Sequence, residues 1–154
     1  MRLRLATTRI VAFGLLCAAV IVTLPGCGDG NTPATEEQFR DTNLLDVGEL
    51  LRMYQIEKGE PPQSFADVQA VPSLEMAAPM GFERIRSGEF IVRWGATLPD
   101  TGEEIGTTDD SAILAYVKEA PEQGGSVLLL NRTLTTMTAD EFAAAPKAGN
   151  DPEE

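Results

Sequence analysis

The stretch Ile113–Phe142 reads ILAYVKEAPEQGGSVLLLNRTLTTMTADEF, and the order of elements in it decides the fold. Ala112–Lys118 (AILAYVK) is a short apolar, β-prone run of the kind that forms a central strand. Pro121–Gly125 turns the chain, and Ser126–Leu130 (SVLLL) reads as a second buried strand. Asn131-Arg132 closes a hairpin onto a third strand over Thr133–Met137. Arg at a turn position that wants positive φ is strained by about 1 kcal/mol, so this turn is expected to be longer, or of another type, than a two-residue Asp-Gly turn. Thr138-Ala139-Asp140-Glu141 then has the form of a capping box, and Met137 and Phe142 are placed to staple across it. A short helix to about Ala145 follows, and Pro146–Glu154 reads as a polar, disordered acidic tail.

Working outward toward the N-terminus, Gly95–Ser111 holds Gly, Pro and Thr with five acids, Asp100, Glu103, Glu104, Asp109 and Asp110, and reads as a long polar loop. Phe82-Glu83-Arg84-Ile85-Arg86 alternates apolar with polar, Ser87-Gly88 can turn, and Glu89–Trp94 (EFIVRW) continues extended, so a hairpin is expected here. Pro72–Pro79 reads as irregular, and Ser64–Ala70 as a short helix facing Phe65 and Val68 inward. The strongest helical signal lies earlier. Thr35-Glu36-Glu37-Gln38 is a capping box with acids at the positive helix start. Leu44, Val47, Leu51 and Tyr54 follow at three- and four-residue spacing, with Leu50 widening the stripe. Lys58-Gly59 and then Pro61-Pro62 end the helix, which spans 36–58. Helices segregated from hairpin-linked strands predict one α+β domain over 36–145: a long amphipathic helix packed on an antiparallel sheet of four or five strands, closed by a short helix.

The first 26 residues read as a leader rather than as structure. Arg2, Arg4 and Arg9 precede an apolar run of thirteen residues, Ile10–Val22. Such a run spans about 20 Å as a helix, short of a bilayer core of roughly 30 Å. It ends in Leu24-Pro25-Gly26-Cys27, which resembles the cleavage motif of bacterial lipoproteins, with Pro25 the one departure. The resemblance implies diacylglyceryl transfer to the Cys27 thiol, cleavage after Gly26, and fatty acylation (palmitate or similar) of the new amine. Two or more acyl chains give stable anchoring. An ordinary secreted protein and a retained membrane span are the alternatives. Residues 27–35 then form a lipidated Gly/Asn/Pro-bearing tether, and the expected location is the cell envelope, anchored to the inner or outer membrane.

Loss of the leader leaves nine basic residues against 24 acids, a balance of −15. That disfavours nucleic acid as a partner, since phosphate binding needs clustered Lys and Arg. It also repels an anionic lipid surface, so the lipid would do the anchoring. Cys17 falls in the leader and Cys27 is the lipid site, so the mature chain has no thiol for a disulfide, a metal or a nucleophile. The chain has no His, which removes His-assisted hydrolysis and His metal sites. No activating Ser-x-x-Lys pattern and no phosphate-cradling Gly loop is present. Paired carboxylates remain, and a small carboxylate-dependent hydrolase of envelope polysaccharide is the alternative to a non-enzymatic role. The acidic loop Asp100–Asp110 offers oxygen ligands of the kind Ca²⁺ takes, without EF-hand spacing.

Two segments carry a second resemblance. Tyr54–Ala70 (YQIEKGEPPQSFADVQA) is similar to the stretch after the long helix of type II secretion pseudopilins, and Ile113–Phe142 resembles the C-terminal end of pilin-like proteins. The chain departs from that family in having a lipobox and tether where pilins have a continuous hydrophobic helix, and Asn131-Arg132 where an Asp-Gly turn is usual. The resemblance implies a pilin-like head, Ca²⁺ in an interstrand loop as in some secreted pseudopilins, and a role in docking secretion or pilus-like components of the envelope.

Overall fold

The computed structural model describes residues 34–151. Helix α1 spans Glu36–Lys58. Thr35 accepts from the Gln38 N–H while the Gln38 side chain accepts from the Thr35 N–H, so the expected capping box forms. Gly59 ends the helix with φ 77°, a left-handed conformation that glycine adopts without steric cost. Three short helices follow: α2 (Phe65–Gln69), α3 (Pro72–Ala77) and α4 (Pro79–Arg86). Strand β1 (Phe90–Val92) precedes a long loop, then come β2 (Ile113–Val117), the single-turn α5 (Ala120–Gln123), β3 (Gly125–Leu129), β4 (Leu134–Met137) and α6 (Ala139–Ala144). The four strands form one antiparallel sheet in the order β1-β2-β3-β4. The fold is α+β.

Two expectations between Pro72 and Trp94 are corrected. Pro72–Ala77 is helical, with Pro72 at a first-turn position where its missing N–H costs nothing. Phe82–Arg86 is the end of α4 and not the first arm of a hairpin, so β1 pairs only with β2. The expected alternation fails at Ile85: Phe82 and Ile85 are three apart, which puts them on one face of a helix and on opposite faces of a strand, and Pro79 again sets the start. Tertiary packing agrees with the helix. A Cβ at Gly81 would lie 2.9 Å from Asp46 Cβ and 3.1 Å from the Asn43 carbonyl oxygen, so the glycine lets α4 approach α1 at backbone distance.

The core has two parts. Leu50 and Tyr54 of α1 are buried with Val68, Val71, Leu74, Ala78 and Phe82 of the short helices. Leu44, Val47 and Leu51 fall in a second buried cluster with Phe90, Ile113, Ala115, Val127 and Leu128 of the sheet. Ile85 and Trp94 pack against both clusters.

The chain after α6 is also corrected. Expected as a disordered tail, Pro146–Asp151 is bonded to the sheet. Ile113 N–H donates to the Pro146 carbonyl at 2.8 Å, Ala148 N–H to Ile113 at 2.9 Å and Asn150 N–H to Trp94 at 2.7 Å. Ala148 is buried, and the buried Arg93 guanidinium donates to its carbonyl at 2.6 Å and pairs with Asp151 at 2.8 Å. The polar composition of this segment concealed its role, because the bonds are made mainly by its backbone.

Candidate functional site

Gly26 and Cys27, the expected cleavage and lipidation positions, lie outside the described residues, as do the leader and most of the tether. Among the described residues no helix is long and apolar enough to cross a membrane.

The acidic loop lies within them. Glu103, Glu104, Asp109 and Asp110 are exposed and Asp100 is half-buried. Asp100 accepts from the Gly102 N–H at 2.7 Å and from the Thr107 hydroxyl. The Thr107 bond, then the Gly102 amide, holds its carboxyl below the usual carboxylate range. Among the described residues no three acids converge as a metal ion requires. The loop is nevertheless tied at many points. Gln55 exchanges side-chain bonds with the Leu98 backbone at 2.9 and 3.2 Å, and Arg52 donates to the Thr101 carbonyl at 2.9 Å. Gly106 N–H donates to Asn131 and Asn131 N–H to Asp110, at 2.9 and 3.1 Å.

The cation about which this loop folds is Arg132. Its guanidinium donates to the carbonyl oxygens of Gly102 and Glu104 at 2.6 and 2.5 Å, and the residue is 4% exposed. Its backbone holds φ 64°, the single positive value outside glycine among the described residues. Arg132 N–H closes a turn on the Leu129 carbonyl, and Leu129 N–H reaches Thr133, both at 2.9 Å. The β3–β4 connection is thus a turn followed by a left-handed residue, longer than a two-residue hairpin, and the left-handed place is taken by Arg rather than Gly. Sequence reasoning found the strain at Arg132 but not the side-chain contacts that accompany it.

A cleft of about 470 Å³ opens where the start of α1 meets the ends of β2 and β3, lined by Glu36, Glu37, Arg40, Val117, Glu119 and Gln123–Ser126. Arg40, in its wall, lies 3.2 Å from Glu89 and 3.0 Å from Glu119. The largely buried Ser126, also a lining residue, donates its hydroxyl to Asp41 at 2.5 Å, joining β3 to α1. The Glu119 carboxyl is held below the usual range, first by its own main-chain N–H and then by Arg40. Glycoside cleavage calls for a general acid with a raised pKa. Among the described residues the carboxyl held above its usual range is Asp46, by burial and then by the charge of Glu49, and it does not line the cleft. The cleft thus brings the Glu119 carboxylate and the Arg40 guanidinium together as an ion pair at 3.0 Å. From the sequence Glu36 and Glu37 read only as helix-start acids and no lining residue reads as a binding group, since Arg40, Glu119 and Ser126 are brought together only by long-range packing.

The chain matches no protein-family model, no curated protein and no solved structure.

Proposed function

We propose that this chain is a lipid-anchored protein of the bacterial envelope whose folded domain docks other envelope components, with α1 laid over one face of the sheet in the manner of a pilin-like head. The observation that carries the reading is the junction between anchor motif and domain. The capping box at Thr35 opens α1 eight residues after Cys27 in the Leu24-Pro25-Gly26-Cys27 motif. A tether of that length reaches at most about 28 Å when fully extended. The domain is then confined to the first shell of space above a membrane, where it meets other envelope proteins. The missing His and thiols of the mature chain, and the Arg40–Glu119 ion pair in the cleft, support docking over catalysis.

Mass spectrometry of the native protein tests the anchor. The expected result is a mature chain beginning at Cys27 with diacylglyceryl on its sulfur; a free Cys27, or a leader still attached, overturns it. Cys27→Ser moves the protein from the membrane fraction to the soluble fraction on this reading, provided the leader is removed by other means.

A further inference from the structure

The open edge of the sheet at β4 ends at both sides in exposed carboxylates. Leu129 N–H bonds to Thr133, and the register pairs Leu128 with Leu134 and Ser126 with Thr136. In an antiparallel ladder the bonded and non-bonded pairs alternate, so Leu134 and Thr136 turn their N–H and C=O groups away from β3. Among the described residues no hydrogen-bond partner answers them. Thr136 is exposed, and Thr133–Thr138 contains no charge, no proline and no bulge, the usual devices that close an edge to pairing.

The flanks are charged. At the start of β4, Arg132 and Asn131 hold the acidic loop against the turn, which keeps Glu103, Glu104, Asp109 and Asp110 at that end. At the other end the first turn of α6 presents Asp140 and Glu141, both exposed, and the Glu141 carboxyl is held below the usual range by its bonds from Thr138. We propose that β4 receives an extended peptide segment by strand addition, a segment with an uncharged, β-prone centre and a basic residue at each end. The main-chain groups of Leu134 and Thr136 supply the pairing, and the two acidic flanks select the charge of the ends. At about 3.4 Å per residue, a four-residue edge with its flanks asks for basic residues roughly five or six positions apart. A second copy of this chain is disfavoured as occupant, since its own β4 brings the same acidic flanks.

This inference rests on the docking role proposed above, and the experiment separates the two. The full chain, in detergent micelles, is titrated with a fluorescent seven-residue peptide having a Val/Thr centre and Lys at each end. Control peptides carry Glu at the ends or N-methyl groups on alternate central amides. Thr136→Pro is the decisive variant, because the Thr136 N–H faces outward and is not part of the β3–β4 ladder, so an edge proline is tolerated by the fold. The expected result is binding of the Lys-ended peptide that weakens tenfold or more in Thr136→Pro, with N-methylation and with the Glu ends, and that falls as salt is raised. The quadruple change of Glu103, Glu104, Asp109 and Asp110 to their amides is expected to remove most of the salt dependence. Equal binding by Thr136→Pro with an unchanged circular dichroism spectrum, equal binding of Glu-ended peptide, or no binding at millimolar peptide overturns the assignment. So does a sedimentation change caused by Thr136→Pro, which would mark the edge as a contact between copies. If the chain is lipidated and docks partners equally well with Thr136→Pro, only the edge assignment fails; if it is not lipidated, the anchor reading fails independently of peptide binding.

Discussion

Arg132 donates to the carbonyl oxygen of Glu104 at 2.5 Å from a backbone held at φ 64°. A left-handed residue after a tight turn is ordinarily glycine, so this position accepts strain in order to place a guanidinium under the acidic loop. Two substitutions separate the strain from the contacts. Arg132→Ala keeps the strain and loses the bonds to Gly102 and Glu104, and is expected to destabilise the domain by about 2–3 kcal/mol. Arg132→Gly loses the same bonds but relieves the strain, and is expected to be less damaging than Ala by about 1 kcal/mol. Urea denaturation of both variants measures the difference. Equal stability of the two would show that the left-handed backbone costs nothing here.

The Arg132 guanidinium ties the acidic loop at the carbonyls of Gly102 and Glu104 without a metal ion as intermediary. Addition of a chelator to the purified chain is expected to leave the melting temperature unchanged, while Arg132→Ala lowers it. A fall of several degrees with chelator would instead assign the loop carboxylates a metal, by the linkage between binding and stability.

The elements that were legible in the sequence are those in which a local signal and the tertiary structure agree. α1 carries a capping box, an apolar stripe and a Gly stop, and all three are realised. β2, β3, β4 and the Thr138 cap are likewise where their patterns place them. Phe82–Arg86 misleads because so short a run carries little periodic information; Phe82 and Ile85, three apart, share a face of a helix and not of a strand, and the glycine-mediated approach of α4 to Asn43 and Asp46 that fixes this helix in place is long-range. The tail was illegible for a different reason. Its attachment runs through main-chain groups of Ala148 and Asn150, which any sequence has, and through Arg93, 55 residues from the Ala148 carbonyl it binds. The cleft at the start of α1 was illegible for the same reason as the tail, its charged groups being 79 residues apart in the case of Arg40 and Glu119.

Gly81 should not tolerate a side chain. An added methyl would meet Asp46 Cβ at 2.9 Å and the Asn43 carbonyl at 3.1 Å, and backbone atoms of α1 have little room to retreat. Alanine gains up to about 1 kcal/mol in helix propensity, which offsets part of an overpacking cost of about 1–3 kcal/mol. Gly81→Ala is therefore expected to be destabilising on balance and Gly81→Val more so. Melting temperatures of the two check the order; a stabilised Gly81→Ala would mean that α4 is free to move away from α1.

The pH dependence has two opposing parts. Asp100, Glu119 and Glu141 have carboxyls lowered in the folded state, chiefly by hydrogen bonds to the ionised form. Such groups contribute stability that is present above the unfolded carboxylate value, about 4, and is lost as pH falls through the lower folded values. Asp46 has the opposite sign, since burial and Glu49 raise it. It opposes folding at neutral pH, and that penalty disappears as it takes up a proton. Asp46→Asn is expected to raise the melting temperature at pH 7 and to lose its advantage below about pH 4. An advantage that persists at pH 3 would show that the effect is packing rather than charge.

Arg93 fastens the segment after α6 to the sheet. It is buried, donates to the Ala148 carbonyl at 2.6 Å, and pairs with Asp151 at 2.8 Å. Asp151 is 93% exposed, so its pairing with Arg93 contributes little on its own. The bond to Ala148 is made where water is excluded, and its loss leaves a carbonyl without this partner. Arg93→Ala is therefore expected to cost about 1.5–3 kcal/mol, the range for a charged hydrogen bond, and Asp151→Asn less than about 0.5 kcal/mol. The readout that isolates the segment is amide hydrogen exchange at Ala148 and Asn150, whose N–H groups bond to Ile113 and Trp94. In Arg93→Ala both amides are expected to exchange faster than the β2–β3 ladder amides, because the segment opens without the sheet. Exchange that rises equally at all of these amides would mean that the segment and the sheet open together, and that Arg93 stabilises the whole domain instead of holding down its last described residues.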